Sequence, residues 1–437
     1  MSAPRLIRHP RFRALLSGIK LLQKEKVLRF SVFWEDIPER QLNTEARNMY
    51  RVNRFQDLMK LLPRAAFNRA VDQQRAEKYR KGFSCWQQLV AMIYAQLSGA
   101  SSLRVLEGSF NAQSAHHYHL DCRALRRSTL SDANAHCSPA VFTELAQALM
   151  SQASRKLRAQ GSELLQLLDS SSFTLQGRGF DSWTSNNRTR NTQGVKLHVL
   201  YGLNERAPLQ CEITPANVND VSHAQGLSIT PEARYVFDKG YYDYNWWWKI
   251  HETGALFVTR FKRNAGLQVI EQRPIALADR AQIHSDMIVR FAHKRPRGGC
   301  TNLYSDPLRR IEVIREGKLP LVLATNDLDS PAQRIADDYR QRWQIELFFK
   351  WIKQHLRIKS FLGRSRNAVH IQILTALIAY LLVALYARAH CLKHSLWMIL
   401  SELRTTLFQR PQADYERHKR WRARRDLVQL HQRDMFV

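Results

Sequence analysis

Residues 161–390 predict an α/β fold, a mixed sheet flanked by helices and interrupted by a β-rich segment, with an all-helical region in front of it. Three observations carry this. The apolar runs Leu164 to Asp169 and Tyr235 to Asp238 read as central strands that each end on an acid. Short alternating pieces fill the chain from roughly 262 to 325. Ser330-Pro331 then opens a helix, a capping residue followed by proline in the first turn.

The helical region comes first. Ser84 caps a helix from Cys85 to Leu97, Gly99 breaks it, and a second helix starts at Ser101 or Ser102 and runs through Leu103, Leu106 and Phe110. Ser128 to Asn134 reads as another capped turn, beside Arg123, Arg126 and Arg127. Two helices about a glycine, with arginines nearby, fit a helix-turn-helix DNA reader, and this region is the expected DNA-binding domain, although such helix pairs are common in any helical bundle. Beyond Asp169, Val195–Tyr201 and Pro208–Ile213 form a hairpin about the turn Gly202–Arg206, and Asp220–Leu227 forms a short helix. Ala255–Arg260 is a further strand, and Met287–Phe291, Ile311–Arg315 and Leu319–Leu323 belong to the inserted β segment. The helix from Pro331 runs to about Leu356. The order β, ββ, α, β, α, β, inserted β, α is that of an α/β core carrying a β insertion.

The expected organisation is therefore a basic leader over 1–48, a helical N-terminal domain over 49–160, and a core over 161–262 and 326–390. The β insertion takes 263–325, and a basic helical tail takes 391–437. Met49 opens a cleaner amphipathic stretch than the leader and is the expected native start. Ile371–Ala387 is nearly all apolar, but it is slightly short for a membrane span and contains Gln372 and Thr375; a helix buried in a large core fits better.

Composition narrows the function. The chain has 437 residues, enough for two to four domains, and 44% are hydrophobic, which supports a folded core. Lys and Arg number 67 against 38 Asp and Glu, a formal net charge of +29. Such an excess favours a polyanion, DNA foremost, although an anionic membrane or ribosomal RNA would satisfy the same charge. Six scattered cysteines without a Cys-x-x-Cys pair argue against a zinc ribbon or a disulfide framework. The basic N-terminus is not followed by an apolar stretch with a cleavage site, which points to a cytoplasmic protein.

The chemistry gathers on three acids. At about 100° per residue, Tyr339, Arg342, Glu346, Lys350 and Lys353 fall within about 80° on one stripe of the Pro331 helix. Ile345, Phe348 and Ile352 lie opposite, toward the sheet. A solvated face often looks like this. Asp169 and Asp238, however, end strands where a core has no use for a carboxylate. Two carboxylates at one sheet edge tolerate each other around a divalent cation, and Glu346 would complete a hard-oxygen site suited to Mg²⁺. Asp181, Asp220 and Asp243 are the nearby rivals, with Asp220 the best of them for the second ligand; ordinary salt bridges are the bland reading.

The spacing Tyr339-x2-Arg342-x3-Glu346-x6-Lys353 resembles the signature of a large group of bacterial insertion-sequence transposases of the DDE class, which have an RNase H-like core. The words Leu168-Asp-Ser-Ser-Ser172, Gly194-Val-Lys-Leu-His-Val-Leu-Tyr201, Phe237-Asp-Lys-Gly-Tyr-Tyr242 and Arg342-Trp-Gln-Ile-Glu-Leu-Phe-Phe-Lys-Trp-Ile-Lys353 are similar to that group too, in order, over about Met49 to Ala389. The resemblance implies binding of double-stranded DNA at transposon ends and of target DNA, and cleavage and strand transfer at one three-carboxylate site. It implies two Mg²⁺ ions held by Asp169, Asp238 and Glu346, with Mn²⁺ as a substitute, and a homodimer in the DNA complex. Tyr339, Arg342, Lys350 and Lys353 would contact the DNA. An inactive regulator derived from such an enzyme, or a nuclease without strand transfer, stays open. The chain departs from the group in two places. Members that cut through a DNA hairpin hold a flipped base on a tryptophan in the β insertion. None stands between Trp248 and Trp343 here, which leaves Phe291 or Tyr304 to serve, or another route. The basic run Arg417–Arg425 lies outside the resemblance and reads as a DNA-attracting tail.

Overall fold

The computed structural model describes residues 53–78, 82–158, 163–187, 192–292 and 301–409. The basic leader, Met49 and the Arg417–Arg425 run lie outside them. All described residues belong to one compact unit, Asn53–Ala413.

Among the described residues six α-helices precede the sheet: α1 (Arg54–Lys60), α2 (Arg64–Gln73), α3 (Cys85–Ser98), α4 (Leu103–Asn111), α5 (Arg127–His136) and α6 (Ala140–Leu157). Local chemistry sets their ends. Ser84 and Gln87 form a capping box on α3, and Gly99, at φ +73°, closes it in the left-handed conformation. Ser102 caps α4. The expected cap at Ser128 is not used, because α5 already begins at Arg127, whose amide donates to the Glu107 carboxylate instead. Helix α3 is buried along nearly its whole length, and α4 leaves it at 100°.

The sheet has ten strands: β1 (Leu165–Thr174), β2 (Ser185–Asn187), β3 (Thr192–Gly202), β4 (Ala207–Pro215), β5 (Arg234–Phe237), β6 (Leu256–Arg260), β7 (Leu267–Gln272), β8 (Ile283–Phe291), β9 (Leu308–Val313) and β10 (Leu321–Thr325). β1 lies between antiparallel β3 and parallel β5, β4 pairs β3, and β6 runs parallel to β5. This is the mixed α/β sheet that the sequence predicts. The segment read as an insertion does not form a separate sheet. β10 pairs β6, and β9, β8 and β7 follow it outward as an antiparallel extension of the same sheet. Strand β7 falls inside the stretch expected to hold short β pieces but was not singled out there; it is the exposed outermost strand of that extension and lacks a buried face to give it a period-two signal.

Helices α7 (Asp220–Gln225) and α8 (Tyr244–Glu252) sit between strands, and α9 (Ala332–Gln341), α10 (Trp343–His355), α11 (Arg366–Ala389) and α12 (Leu396–Thr406) follow the sheet. Alternation along the strands feeds two cores. Leu167, Val236 and Val258 pack on the side of α9, α10 and α11; Leu168, Phe237 and Phe257 pack with Trp246 and Trp247 of α8. Helix α11 is long and apolar enough to cross a membrane, but it is buried between α3, α6 and α10, as a core helix would be. Helix α12, placed in the expected tail, buries Ile399, Leu400 and Leu403 in the same core.

Candidate active site

In the paired part of the sheet, Leu167, Val236 and Val258 stand side by side on β1, β5 and β6. Two residues further along each strand come Asp169, Asp238 and Arg260. With a side-chain period of two and strand spacing of about 4.8 Å, this puts an acid, an acid and a guanidinium in one row on the helix-bearing face. The expectation that both acids end their strands is half right. Asp238 follows the last residue of β5, whereas β1 continues for five residues past Asp169, paired only with β3. Asp169 thus marks where β5 leaves β1.

The helix over this row is not continuous, contrary to expectation. At Arg342 the amide of residue 342 donates to the Tyr339 carbonyl and that of Ile345 to the Arg342 carbonyl, one short turn that divides α9 from α10. A buried network ties α9 and the loop before it to the sheet. Arg234 bridges Asp327 at 2.7 Å and Asp338 at 3.0 Å, and Arg309 pairs with Asp286 at 2.6 Å and donates to the Ser330 carbonyl.

The stripe then meets the row. Ile345, Phe348 and Ile352 are buried, as the periodicity required. Tyr339 is buried as well, which the wheel did not anticipate, and its hydroxyl donates to Asp238 at 3.4 Å. Arg342 bonds Glu346 at 2.6 Å, and Arg260 bonds Asp238 at 2.5 Å. Lys353 donates to the Ser172 carbonyl of β1 at 3.0 Å and lies over the Phe173 ring; Lys350 is exposed.

Electrostatics separate the acids. Burial pushes the Asp169 carboxyl up to about 6, although the Ser170 amide, at 2.8 Å, and Arg342 oppose it; Glu346 and Asp220 add to the rise. Burial also acts against Asp238, but there the Lys239 amide, Arg260 and Arg342 prevail and hold it below the usual range. The Arg342 charge, penalised by burial, is favoured by Tyr339, Glu346 and Asp238, so one guanidinium interacts with all three acids.

Among the described residues, no three His, Cys, Asp or Glu side chains gather closely enough to hold a metal ion. Arg260 and Arg342 stand against two of the acids instead. The donor set is nevertheless right for a hard divalent cation: carboxylate oxygens only, with Asp169 destabilised as an anion and, among the described residues, no cation within salt-bridge distance.

The rival acids have other work. Asp220 accepts from Lys196 Nζ at 3.0 Å and from the Ser170 hydroxyl at 2.7 Å. Asp243 caps α8 through the Trp246 amide, and exposed Asp181 accepts from Gly177 and Gln193. Of the two stand-ins for a base-holding tryptophan, Tyr304 is buried among aromatic rings, and Phe291 packs 4.0 Å from Tyr244. The sequence reading missed Arg260. Its signal was available: Leu256–Arg260 is an apolar strand ending on a charge, the same signal that selected the two acids.

Residues 160–382, just over half of the chain, match the family model described as a transposase DDE domain. The chain belongs to the DDE transposase family. Residues 53–122 match a second model, a domain of unknown function (DUF4372). A putative transposase of Sinorhizobium fredii is 44% identical over 261 residues, 59% of this chain and 71% of that one. A probable insertion-sequence transposase of Geobacillus stearothermophilus is 28% identical over 220 residues, 50% and 55% of the two chains. Among solved structures, a piggyBac transposase synaptic complex with hairpin DNA aligns at 12% identity with a TM-score of 0.42, covering 85% and 80%. This transposase is therefore a DNA-acting enzyme of a family that generally uses divalent metal ions.

Proposed function

We propose that this transposase binds double-stranded DNA at transposon ends and carries out cleavage and strand transfer into target DNA at one site. In this reading Asp169, Asp238 and Glu346 hold two divalent cations, Mg²⁺ with Mn²⁺ as a substitute. The observation that carries it is that Asp169 and Asp238 each come directly after the last paired residues of the neighbouring parallel strands β1 and β5, with Arg342 interacting with both and with Glu346. When bound, the cations supply Lewis acidity to the attacking and leaving oxygens of the phosphodiester.

The chain's own groups do the rest. Arg260 keeps Asp238 ionised, whereas Asp169 must release a proton to become a ligand, which favours activity above about pH 6. Tyr339 and Arg342 bring a hydroxyl and a guanidinium to the edge of the carboxylate row, where a phosphate could take their bonds from Asp238 and Glu346. Exposed Lys350 and half-buried Lys353 extend that surface along α10. The net charge of +29 supports a cytoplasmic, nucleoid-associated protein, and two ends per element suggest a homodimer in the DNA complex.

The test is metal-dependent nicking of DNA carrying the element's own terminal repeats. Wild type should nick and join, while Asp169→Asn, Asp238→Asn and Glu346→Gln bind ends without cutting. Full cleavage in chelator would overturn the metal reading. End binding by the wild type with no cleavage in Mg²⁺ or Mn²⁺ would make it a regulator, and cleavage without joining would make it a nuclease.

A further inference from the structure

We infer that Ser170, Asp220 and Lys196 form a positioning unit that holds the Asp169 carboxylate in its working attitude; this rests on the reading above, in which Asp169 is a reacting ligand. Side chains alternate along β1, so Asp169 faces the helices α9 and α10 while Ser170 faces the opposite side. Ser170 is bonded in both directions. Its amide N–H donates to Asp169 Oδ1 at 2.8 Å, and its hydroxyl donates to Asp220 Oδ1 at 2.7 Å. One residue therefore links the carboxylate on the front of the strand to an anchor behind it.

The anchor is a buried ion pair. Lys196 Nζ donates to Asp220 Oδ1 at 3.0 Å and to the Val218 carbonyl at 2.7 Å, and its side chain is 3% exposed. Lys196 reaches this place because β3 runs antiparallel to β1 with Lys196 opposite Ser172 and His198 opposite Ser170. The two strands are pressed together one step away: Gly194 has φ +146°, and a Cβ there would fall 2.1 Å from the Phe173 carbonyl oxygen. The imidazole of His198 stacks 4.0 Å from His223 and lies 3.7 Å from Asp220. Burial pushes the His198 ring down to about 3, so it contributes a neutral wall and Lys196 is the cation. This accounts for the word Gly194-Val-Lys-Leu-His198, which contains none of the proposed ligands.

A buried ion pair of this kind adds little net stability compared with an apolar pair of the same shape. Its position offers a better reason for it: the pair ends one peptide group from Asp169. Groups that orient a metal ligand typically alter metal affinity or activity about 10- to 100-fold when removed.

The decisive variant is Ser170→Ala, with Ser170→Thr retaining the hydroxyl and Asp220→Asn weakening the anchor. Mn²⁺ binding is read by electron paramagnetic resonance on protein bound to pre-cut end DNA, alongside the Mg²⁺ dependence of cleavage and thermal melting. Ser170→Ala should weaken Mn²⁺ binding about 10-fold or more, shift the Mg²⁺ requirement upward by a similar factor, and melt close to wild type; Ser170→Thr should stay near wild type on all three. Asp220→Asn should follow Ser170→Ala; if it does not fold, Ser170→Ala decides alone. Ser170→Ala binding Mn²⁺ within about twofold of wild type, while Asp169→Asn has lost it, would overturn the inference and leave the proposed function standing. Unchanged Mn²⁺ binding and cleavage in Asp169→Asn would overturn the proposed function itself.

Discussion

Asp169 and Asp220 lie on opposite faces of the same strand pair, one peptide group and one hydroxyl apart, and the fold treats them in opposite ways. Asp220 is given a buried lysine and a serine hydroxyl. Burial alone would raise its carboxyl, but those bonds hold it below the usual range. Asp169 is given one backbone amide and no close cation among the described residues, and burial raises it to about 6. Composition and local polarity do not distinguish these two acids. The counter-charge does: a buried lysine neutralises Asp220 from behind the strand, whereas Asp169 is left short of positive charge and keeps its binding capacity open.

The largest expected effect tests that contrast directly. Asp169→Asn should cut end cleavage by on the order of 10³-fold or more, with end binding intact. Asp220→Asn should leave measurable cleavage that more Mg²⁺ restores. Equal losses that no metal concentration rescues would place both acids in one ligand set.

Next in size is a core effect on the helix that carries Glu346. Phe348 packs 5.2 Å from Tyr201 and 5.0 Å from Tyr380, between the sheet and α11. Phe348→Ala should cost about 3 to 5 kcal/mol in denaturant unfolding. A loss under about 1 kcal/mol would mean that α10 does not rest on the sheet as described.

Arg342→Ala and Lys353→Ala should do the reverse. Their partners are a carboxylate and a carbonyl near the surface, so stability should change by no more than about 1 kcal/mol. Affinity for end DNA should fall by about 1.5 to 3 kcal/mol if each contacts a phosphate. Melts paired with end-binding titrations separate the two outcomes.

The smallest effect is in pH. The Asp169 carboxyl is raised above its unfolded value, so burial favours its protonated form. Its contribution to stability is fully present below about pH 4 and is lost as pH rises through about 6. In chelator, wild type should lose about 2 kcal/mol relative to Asp169→Asn between those limits. The depressed carboxyls of Asp220 and Asp238 act oppositely, losing stability as pH falls, and are common to both proteins. Parallel pH profiles for the two would show that Asp169 is not buried as described.

Much of this was written in local chemistry. Capping residues and Gly99 marked α3 and α4 because hydrogen bonds to helix ends are made by immediate neighbours. Short apolar runs marked β1 and β5, alternation marked β3, and the long apolar run of α11 marked a buried helix, because each of these elements faces a core. Those signals span a few residues, and sequence carries them without reference to the rest of the chain. Other features depended on partners distant in sequence. β1 continues past Asp169 because β3 still pairs with it. The inserted strands extend the sheet because β10 comes back to β6. Tyr339 is buried because Asp238 and the sheet lie beneath it, although its place on the helix wheel is polar. Which acids carry a close counter-charge was decided by Lys196, Arg260 and Arg342. Charge pairing acts through space, and only the tertiary structure brings those residues to Asp220, Asp238 and Glu346, while among the described residues no cation comes within salt-bridge distance of Asp169.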